Sequence, residues 1–162
     1  AFIGAALHAE PPLPRFEGYL EALKELGAGV EEDLIVPPLA GPRSPFTTQN
    51  DGYAGMNRLL QLKHPPTAVF ARNDYTAMGA LRAARQAGIA VPRDISLVGF
   101  DNVPLASFTT PPLTTVKQPI DEQGREAARL LLRRIEAEGR LERVERVFSC
   151  DLIVRESTAP AT

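Results

Sequence analysis

Polar side chains follow two apolar runs of the sequence, at points where strands would end. Asn73 and Asp74 come after the run at 68–71, and Asp101 and Asn102 come after the next such run. Carboxylates and amides accept and donate the hydrogen bonds with which proteins hold hydroxyl-rich ligands. Because ligands of open parallel sheets bind outside the carboxyl ends of the strands, these four side chains predict a binding edge.

Each of these residues also has a purely structural interpretation. An aspartate after a strand is often a turn former, and Asp74 could cap a following helix. Two such breaks on one edge favour the binding interpretation, and two further residues add to it. Arg15 stands at a predicted helix start, where a positive charge opposes the helix dipole, and Gln118, just before Pro119, has no evident structural duty.

Hydrophobic periodicity predicts the elements that would position these residues. Two strand-length apolar runs, at 68–71 and 95–99, are joined by an amphipathic helix that ends at Gly88, and such a unit is nearly always a right-handed parallel crossover. Further strands are predicted at 1–5, 34–36, 113–116 and 147–154, and helices at 15–26, from Asn50 or Asp51 to 63, and at 120–138. This alternation predicts an α/β fold with a mainly parallel sheet flanked by helices.

The composition is that of an ordinary globular domain. The chain has 162 residues, 44% hydrophobic and 23% charged, which is enough to bury one core. A net charge of -2, with acids and bases interspersed, gives no reason to expect a nucleic-acid-binding face. The apolar runs are too short to span a membrane, and no secretion leader is evident. Because a core-strand pattern begins at Ala1, we expect a fragment of a longer protein.

Residues suited to catalysis are few. His8 and His64 are far apart, beside proline-rich loop sequence, without the spacing of metal ligands. Cys150 is the only cysteine, and its apolar strand pattern favours a small buried side chain over a nucleophile. No glycine-rich phosphate loop or nucleophile elbow follows any strand. The sequence therefore predicts a binding protein rather than an enzyme, with no metal or cofactor.

Several stretches of the sequence resemble one family of bacterial transcription factors. In order, they read AFIG, RFEGYLEAL, PPTAVFARNDYTAMGALRAARQAGIAVPRDISLVGFDN and PPLTTVKQPIDEQGREAARLL. Together they cover nearly the whole chain and are similar to the C-terminal half of the regulatory domain of the lactose/galactose-repressor (LacI/GalR) family. The resemblance implies one lobe of a type I periplasmic-binding-protein-like fold, with an effector held between two lobes.

The resemblance also implies a set of site residues. The residues predicted to bind the effector are Arg15, Asn73, Asp101, Gln118 and Phe46, with Asp74 and Asn102 in support. The first three match positions that commonly contact a sugar or a nucleobase in this family. Gln118 lies at the crossover between the lobes, and Phe46 is the best match for an aromatic contact from the loop before the second helix.

The family's two-lobe arrangement divides the chain unevenly. Residues 1–118 and 145–162 would form the C-terminal lobe, whereas 119–144 would belong to the other lobe, most of which lies outside this chain. The apolar face of the helix at 120–138 is therefore expected to pack on a neighbouring chain or to shift against its own domain. The resemblance also implies a homodimer formed through the C-terminal lobe.

The predicted function is the effector-binding and dimerisation portion of a cytoplasmic transcriptional regulator, most simply a repressor. Its partners would be a sugar or purine effector, a second copy, and operator DNA contacted only through an absent helix-turn-helix domain; no membrane is involved. An alternative is the sugar-binding component of a transporter, which shares the architecture. An enzyme on the same scaffold is a third interpretation, without a catalytic constellation to support it.

Overall fold

The computed structural model describes residues 1–8, 13–41, 44, 46–137 and 143–160. In these residues the strands are β1 Phe2–Ile3, β2 Ile35–Val36, β3 Ala68–Ala71, β4 Ser96–Asp101, β5 Thr114–Lys117 and β6 Asp151–Ile153. The α-helices are α1 Pro14–Glu25, α2 Gln49–Leu60, α3 Asp74–Gln86 and α4 Ile120–Glu136. Short 3₁₀ helices cover Glu32–Leu34 and Pro104–Phe108.

The strands form one sheet in the order β2-β1-β3-β4-β5-β6. The first five are parallel, and only β6 runs antiparallel, against β5. The direction in which strands are added reverses between β1 and β3, which makes their carboxyl ends the switch point where open sheets bind ligands. The predicted α/β fold with a mainly parallel sheet is confirmed.

The two faces of the sheet carry separate apolar clusters. Successive side chains of a strand point to opposite faces, so Phe2 packs with Phe16 of α1, whereas Ile3 packs with α2 and α3. The ring centroids of Phe2 and Phe16 lie 5.1 Å apart. Met56 and Leu59 of α2 are fully buried on the other face. Helices therefore cover both faces of the sheet. The carboxyl ends of the parallel strands lie together at one edge, where a ligand can approach.

The caps of α2 and α3 differ from the predicted ones. Thr48, rather than Asn50 or Asp51, precedes α2, and the Asp51 carboxylate accepts hydrogen bonds from the backbone N–H groups of Thr48 (2.7 Å) and Leu39 (2.6 Å). Burial raises the pKa of Asp51, but these bonds outweigh it and hold the pKa below its usual range. Asn73 caps α3, so Asp74 is not the cap. In both cases the residue at the true boundary reaches the free N–H groups of the first turn.

Some boundaries also differ from the predicted ones. β4 continues through Asp101, into the predicted polar break, and α2 ends at Leu60 rather than at 63. β6 covers only Asp151–Ile153 of the predicted 147–154, because β5 offers it three paired residues. Cys150 is consequently exposed, and the prediction of a buried cysteine is wrong. The predicted end of the last helix at 138 lies outside the described residues.

Helix α4 contacts little of the domain. None of its residues is buried, and Leu131 and Ile135 are 59% and 64% exposed. The expectation that this helix shifts against its own domain is wrong, since its apolar face is uncovered; packing on a neighbouring chain stays a prediction. No helix in the described residues is long and apolar enough to cross a membrane.

Candidate functional site

Three of the predicted site residues meet at the carboxyl edge of the sheet. The Asp101 carboxylate oxygen Oδ1 accepts hydrogen bonds from Arg15 Nη2 at 3.1 Å and from Gln118 Nε2 at 2.7 Å. These residues come from the start of α1, the end of β4 and the segment after β5. About a quarter of each side chain of the Arg15–Asp101 ion pair is exposed, so the pair is partly screened but open to a ligand.

Arg15 is held by two further contacts. Its Nη1 donates a hydrogen bond to the backbone carbonyl of Arg72, at 3.0 Å, just after β3. Its guanidinium carbon lies 4.0 Å from the ring centroid of Phe100, a cation–π arrangement. Burial lowers the pKa of the neighbouring Arg72 guanidinium, and the positive charge of Arg15 lowers it further. The guanidinium of Arg15 is therefore fixed in direction before any ligand arrives.

The backbone at the tip of β4 is strained. Asp101 has φ of 109° and Asn102 has φ of 55°, in the left-handed region that favours glycine. A non-glycine residue in such a conformation costs on the order of 1–3 kcal/mol and is usually found where function requires it. In this conformation the Asp101 carboxylate accepts the hydrogen bonds from Arg15 and Gln118.

Replacing Asp101 by glycine should separate this strain from the ion pair. Both Asp101→Gly and Asp101→Ala remove the carboxylate, but only glycine relaxes the backbone. We expect the glycine variant to have a free energy of unfolding about 1–2 kcal/mol above that of the alanine variant. Urea denaturation of the two variants measures the difference. Equal stability would mean that φ at this position carries no strain.

Asn73 lies on the same edge but is already bonded within the protein. Its Oδ1 accepts hydrogen bonds from Thr76 N and Thr76 Oγ1, both at 2.8 Å, and its Nδ2 donates to Thr47 Oγ1 at 3.0 Å. The side chain therefore caps α3 and fastens the loop before α2. Its predicted contact with an effector stays a prediction, and a ligand would have to compete with Thr47 for the amide.

Asp74 lies beneath the edge. Its side chain is fully buried and accepts hydrogen bonds from Thr115 Oγ1 (2.5 Å) and from the backbone N–H of Val103 (2.8 Å). Burial raises the pKa of Asp74, and these two hydrogen bonds only partly offset the effect. The carboxylate of Asp74 points into the protein, beneath the edge, and the supporting role that the resemblance implies for it stays a prediction.

Phe46 is exposed on the loop before α2, with 77% of its surface accessible. Two neighbours place this loop at the edge: Thr47 is bonded to Asn73, and the carbonyl oxygen of Ser44 accepts a hydrogen bond from Arg72 Nη1 at 3.1 Å. Phe46 is not bonded to the Arg15–Asp101–Gln118 cluster. Its role as an aromatic contact stays a prediction.

The arrangement is suited to binding. Within the described residues, no three His, Cys, Asp or Glu side chains come together as a metal site would require, and His8 and His64 are exposed. The cluster instead presents a carboxylate, a guanidinium and an amide to one side of a sheet edge. These groups can bind hydroxyl or amide groups of a small molecule in a fixed orientation.

Comparison with known proteins identifies the domain. Residues 1–158 match the periplasmic binding protein-like domain family. The chain belongs to that family. The HTH-type transcriptional repressor CytR of Escherichia coli (strain K12) is 42% identical over 144 residues, covering 89% of this chain and 40% of the repressor. The repressor PurR of Histophilus somni (strain 129Pt) is 34% identical over 157 residues, covering 97% of this chain and 45% of PurR.

Solved structures of regulators share the fold of this periplasmic binding protein-like domain. The transcriptional regulator CelR, in its cellobiose complex, superposes with a TM-score of 0.85 at 37% identity, covering 97% of this chain and 46% of CelR. A regulatory protein of the LacI family from Chloroflexus aggregans gives a TM-score of 0.82 at 32% identity, covering 98% and 54%. The LacI/GalR resemblance is confirmed. The chain spans less than half the length of the curated relatives it matches.

Sequence reasoning missed several residues that position the site of this domain. Phe100 lies just beyond the predicted strand at 95–99 and is not among the predicted site residues, although its ring contacts the Arg15 guanidinium. Thr47 and Thr115 gave no signal, because their contacts with Asn73 and Asp74 join residues far apart in the chain. The sequence pattern Thr48-x-x-Asp51 is typical of a capping box and could have predicted the start of α2.

Proposed function

We propose that this chain is the effector-binding and dimerisation portion of a transcriptional regulator of the LacI/GalR type. The observation that carries the proposal is the cluster in which Asp101 accepts hydrogen bonds from both Arg15 and Gln118 at the carboxyl edge of the sheet. The regulators among its relatives support this reading over a transporter component. The protein would be cytoplasmic and would catalyse no reaction.

The effector is proposed to be a sugar, with a purine or other nucleobase as the second candidate. A sugar hydroxyl both donates and accepts hydrogen bonds, so it can replace Arg15 or Gln118 at the Asp101 carboxylate. A solved structural neighbour is a complex with cellobiose, which supports a sugar. Phe46, exposed at the same edge, would provide an apolar face for a sugar ring or a base.

Regulation would follow from binding energy alone. An effector that contacts this edge and a second lobe stabilises one arrangement of the two lobes over the other. Residues 119–144 would belong to that second lobe, and the uncovered apolar face of α4 supports this assignment. Operator DNA would be contacted through a domain outside this chain, and the C-terminal lobe would form the homodimer.

Loss of either charged group should weaken effector binding in the full-length protein. Each of Arg15→Ala and Asp101→Ala removes charge-assisted hydrogen bonds of about 1.5–3 kcal/mol, which corresponds to an affinity loss of roughly 10- to 150-fold. Calorimetric titration with cellobiose, other sugars and purine bases measures this loss. Arg93→Ala, which removes an exposed arginine paired with Asp94, serves as the control and should leave the affinity unchanged.

Unchanged affinity in both variants would refute the assignment of the site. If no sugar or base bound the wild-type protein, the proposed effector class itself would be wrong. The stability of each variant is measured in parallel, so that a loss of binding is not mistaken for unfolding.

A further inference from the structure

The turn at Asp101 and Asn102 needs an explanation beyond the residues of the site. Both residues have positive φ, and both are held in that conformation although neither is glycine. A strained turn at the end of a strand relaxes unless neighbouring groups fix it. The contacts around Asn102 therefore decide where the Asp101 carboxylate points.

Hydrogen bonds fix this turn from below and from the chain's C-terminal segment. The backbone N–H of Asn102 donates to Thr115 Oγ1 at 3.3 Å, and that of Val103 donates to Asp74 at 2.8 Å. The side chain of Asn102 is held separately: its Oδ1 accepts a hydrogen bond from Arg155 Nη2 at 2.7 Å. The bonds from Arg155 and from Val103 are both charge-assisted, and the bond from Arg155 is the one that reaches a side chain of the turn.

Arg155 is itself held firmly. Its Nη1 donates to the carbonyl of Leu113 at 2.6 Å, and its backbone N–H donates to Thr114 Oγ1 at 2.9 Å. The guanidinium thus bridges the residue before β5 and the residue after β4, with one Nη group bonded to each. Because a guanidinium is planar and its donors point in fixed directions, these two bonds hold Asn102 and Leu113 in a defined relative position.

The residues after Arg155 anchor it to the sheet. Ser157 is fully buried, its hydroxyl donates to the carbonyl of Leu97 at 2.6 Å, and it accepts a hydrogen bond from the N–H of Thr114 at 2.8 Å. The carbonyl of Ser157 also accepts from the N–H of Leu97 at 2.8 Å. The segment is therefore bonded both to β4 and to the first residue of β5, and Arg155 reaches the turn from this anchored segment.

We propose that Arg155 is a positioning residue for the effector site, which acts by holding the Asn102 side chain and hence the direction of the Asp101 carboxylate. The inference rests on the proposed function, since it concerns the same site. The hydrogen bonds of Arg155 go to Asn102, Leu113 and Thr114 rather than to the cluster of Arg15, Asp101 and Gln118. Both segments that flank α4 thus reach the same turn: Gln118 contacts Asp101, and Arg155 contacts Asn102.

Hydrogen exchange in the full-length protein tests this inference without any ligand. Arg155→Met keeps most of the side-chain volume and removes the bond to Asn102. We expect the amides of Asn102 and Val103 to exchange about tenfold faster or more, while the amides of Leu97 and Thr114 stay protected. The Nη signals of Arg15 in nitrogen NMR, distinct in the wild-type protein, should average because its carboxylate partner moves.

Ser157→Ala is the matched control, since it weakens the same segment without touching the turn. Its effect should fall on the amides of Leu97 and Thr114 and leave the Arg15 signals unchanged. Arg155→Lys, which can keep one of the two side-chain bonds, should be intermediate.

Equal acceleration of all four amides in Arg155→Met, or none, would overturn the inference, as would Arg15 signals that stay distinct. These outcomes leave the proposed function untouched, because that is tested by titration of the Arg15 and Asp101 variants.

Discussion

Gly79→Ala should lower the free energy of unfolding by about 3 kcal/mol or more, or prevent folding. The added methyl group could be accommodated only if the backbone moved, which costs more than a change of side-chain rotamer. A Cβ on Gly79 would collide with the backbone carbonyl of Gln49 on α2, and a Cβ on Gly52 would collide with that of Thr76 on α3. The two helices therefore approach so closely that neither glycine position has room for a methyl group. No change of rotamer can relieve a collision with backbone.

The control for this prediction is Gly18→Ala in α1. A Cβ on Gly18 would meet nothing within 4 Å, so this substitution brings only the gain in helix propensity. It should raise the free energy of unfolding by about 0.5–1 kcal/mol. Chemical denaturation compares the two variants, and opposite signs are expected. A tolerated Gly79→Ala would show that α2 and α3 can separate without loss of the core.

Local patterns in the sequence were sufficient to predict the central strand–helix–strand unit of β3, α3 and β4. β3 covers residues 68–71 as predicted, and α3 ends just before Gly88, whose φ of 74° is the conformation that ends helices. Parallel pairing then brings the ends of β3 and β4 to one edge. The spacing of apolar residues and the glycine that ends a helix are local features, so they can be recognised in a single sequence.

Contacts between distant residues could not be predicted in this way. No sequence pattern after β6 predicts a contact, yet Ser157 bridges Leu97 and Thr114, and Arg155 reaches Asn102 across 53 positions. Gly52 and Gly79 are likewise unremarkable within their own helices. Their importance comes from the crossing of α2 and α3, which only the three-dimensional packing determines.

The candidate site was predicted partly from residue types and partly from family resemblance. Asp101 was found as a carboxylate after a strand, and the structure joins it to Arg15 and Gln118. Asn73 shows the limit of that reasoning, since an amide at a helix start serves equally as a cap. Residue type alone does not say whether its hydrogen bonds go to the protein or to a ligand.

Asp74→Ala should reduce the free energy of unfolding by about 2–6 kcal/mol, since it leaves two buried donors without a partner at about 1–3 kcal/mol each. These donors are the Thr115 hydroxyl and the backbone N–H of Val103. Asp74→Asn should cost less. Its carbonyl can accept from Val103 while its amide donates to Thr115 Oγ1, because a hydroxyl can also accept. Denaturant unfolding of both variants measures these losses.

The pH dependence of these variants tests the balance between burial and hydrogen bonding at Asp74. Burial raises the pKa of Asp74 above its ordinary value of 3.8, so the folded protein binds this proton more tightly than the unfolded chain does. The stabilisation that follows is complete below pH 3.8 and is lost as the pH rises through the raised pKa. The stability difference between the wild-type protein and Asp74→Asn should therefore shrink as the pH rises from 4 towards 7. If this stability difference grew with pH instead, the hydrogen bonds from Thr115 and Val103 would outweigh burial. The folded protein would then favour the ionised form of Asp74.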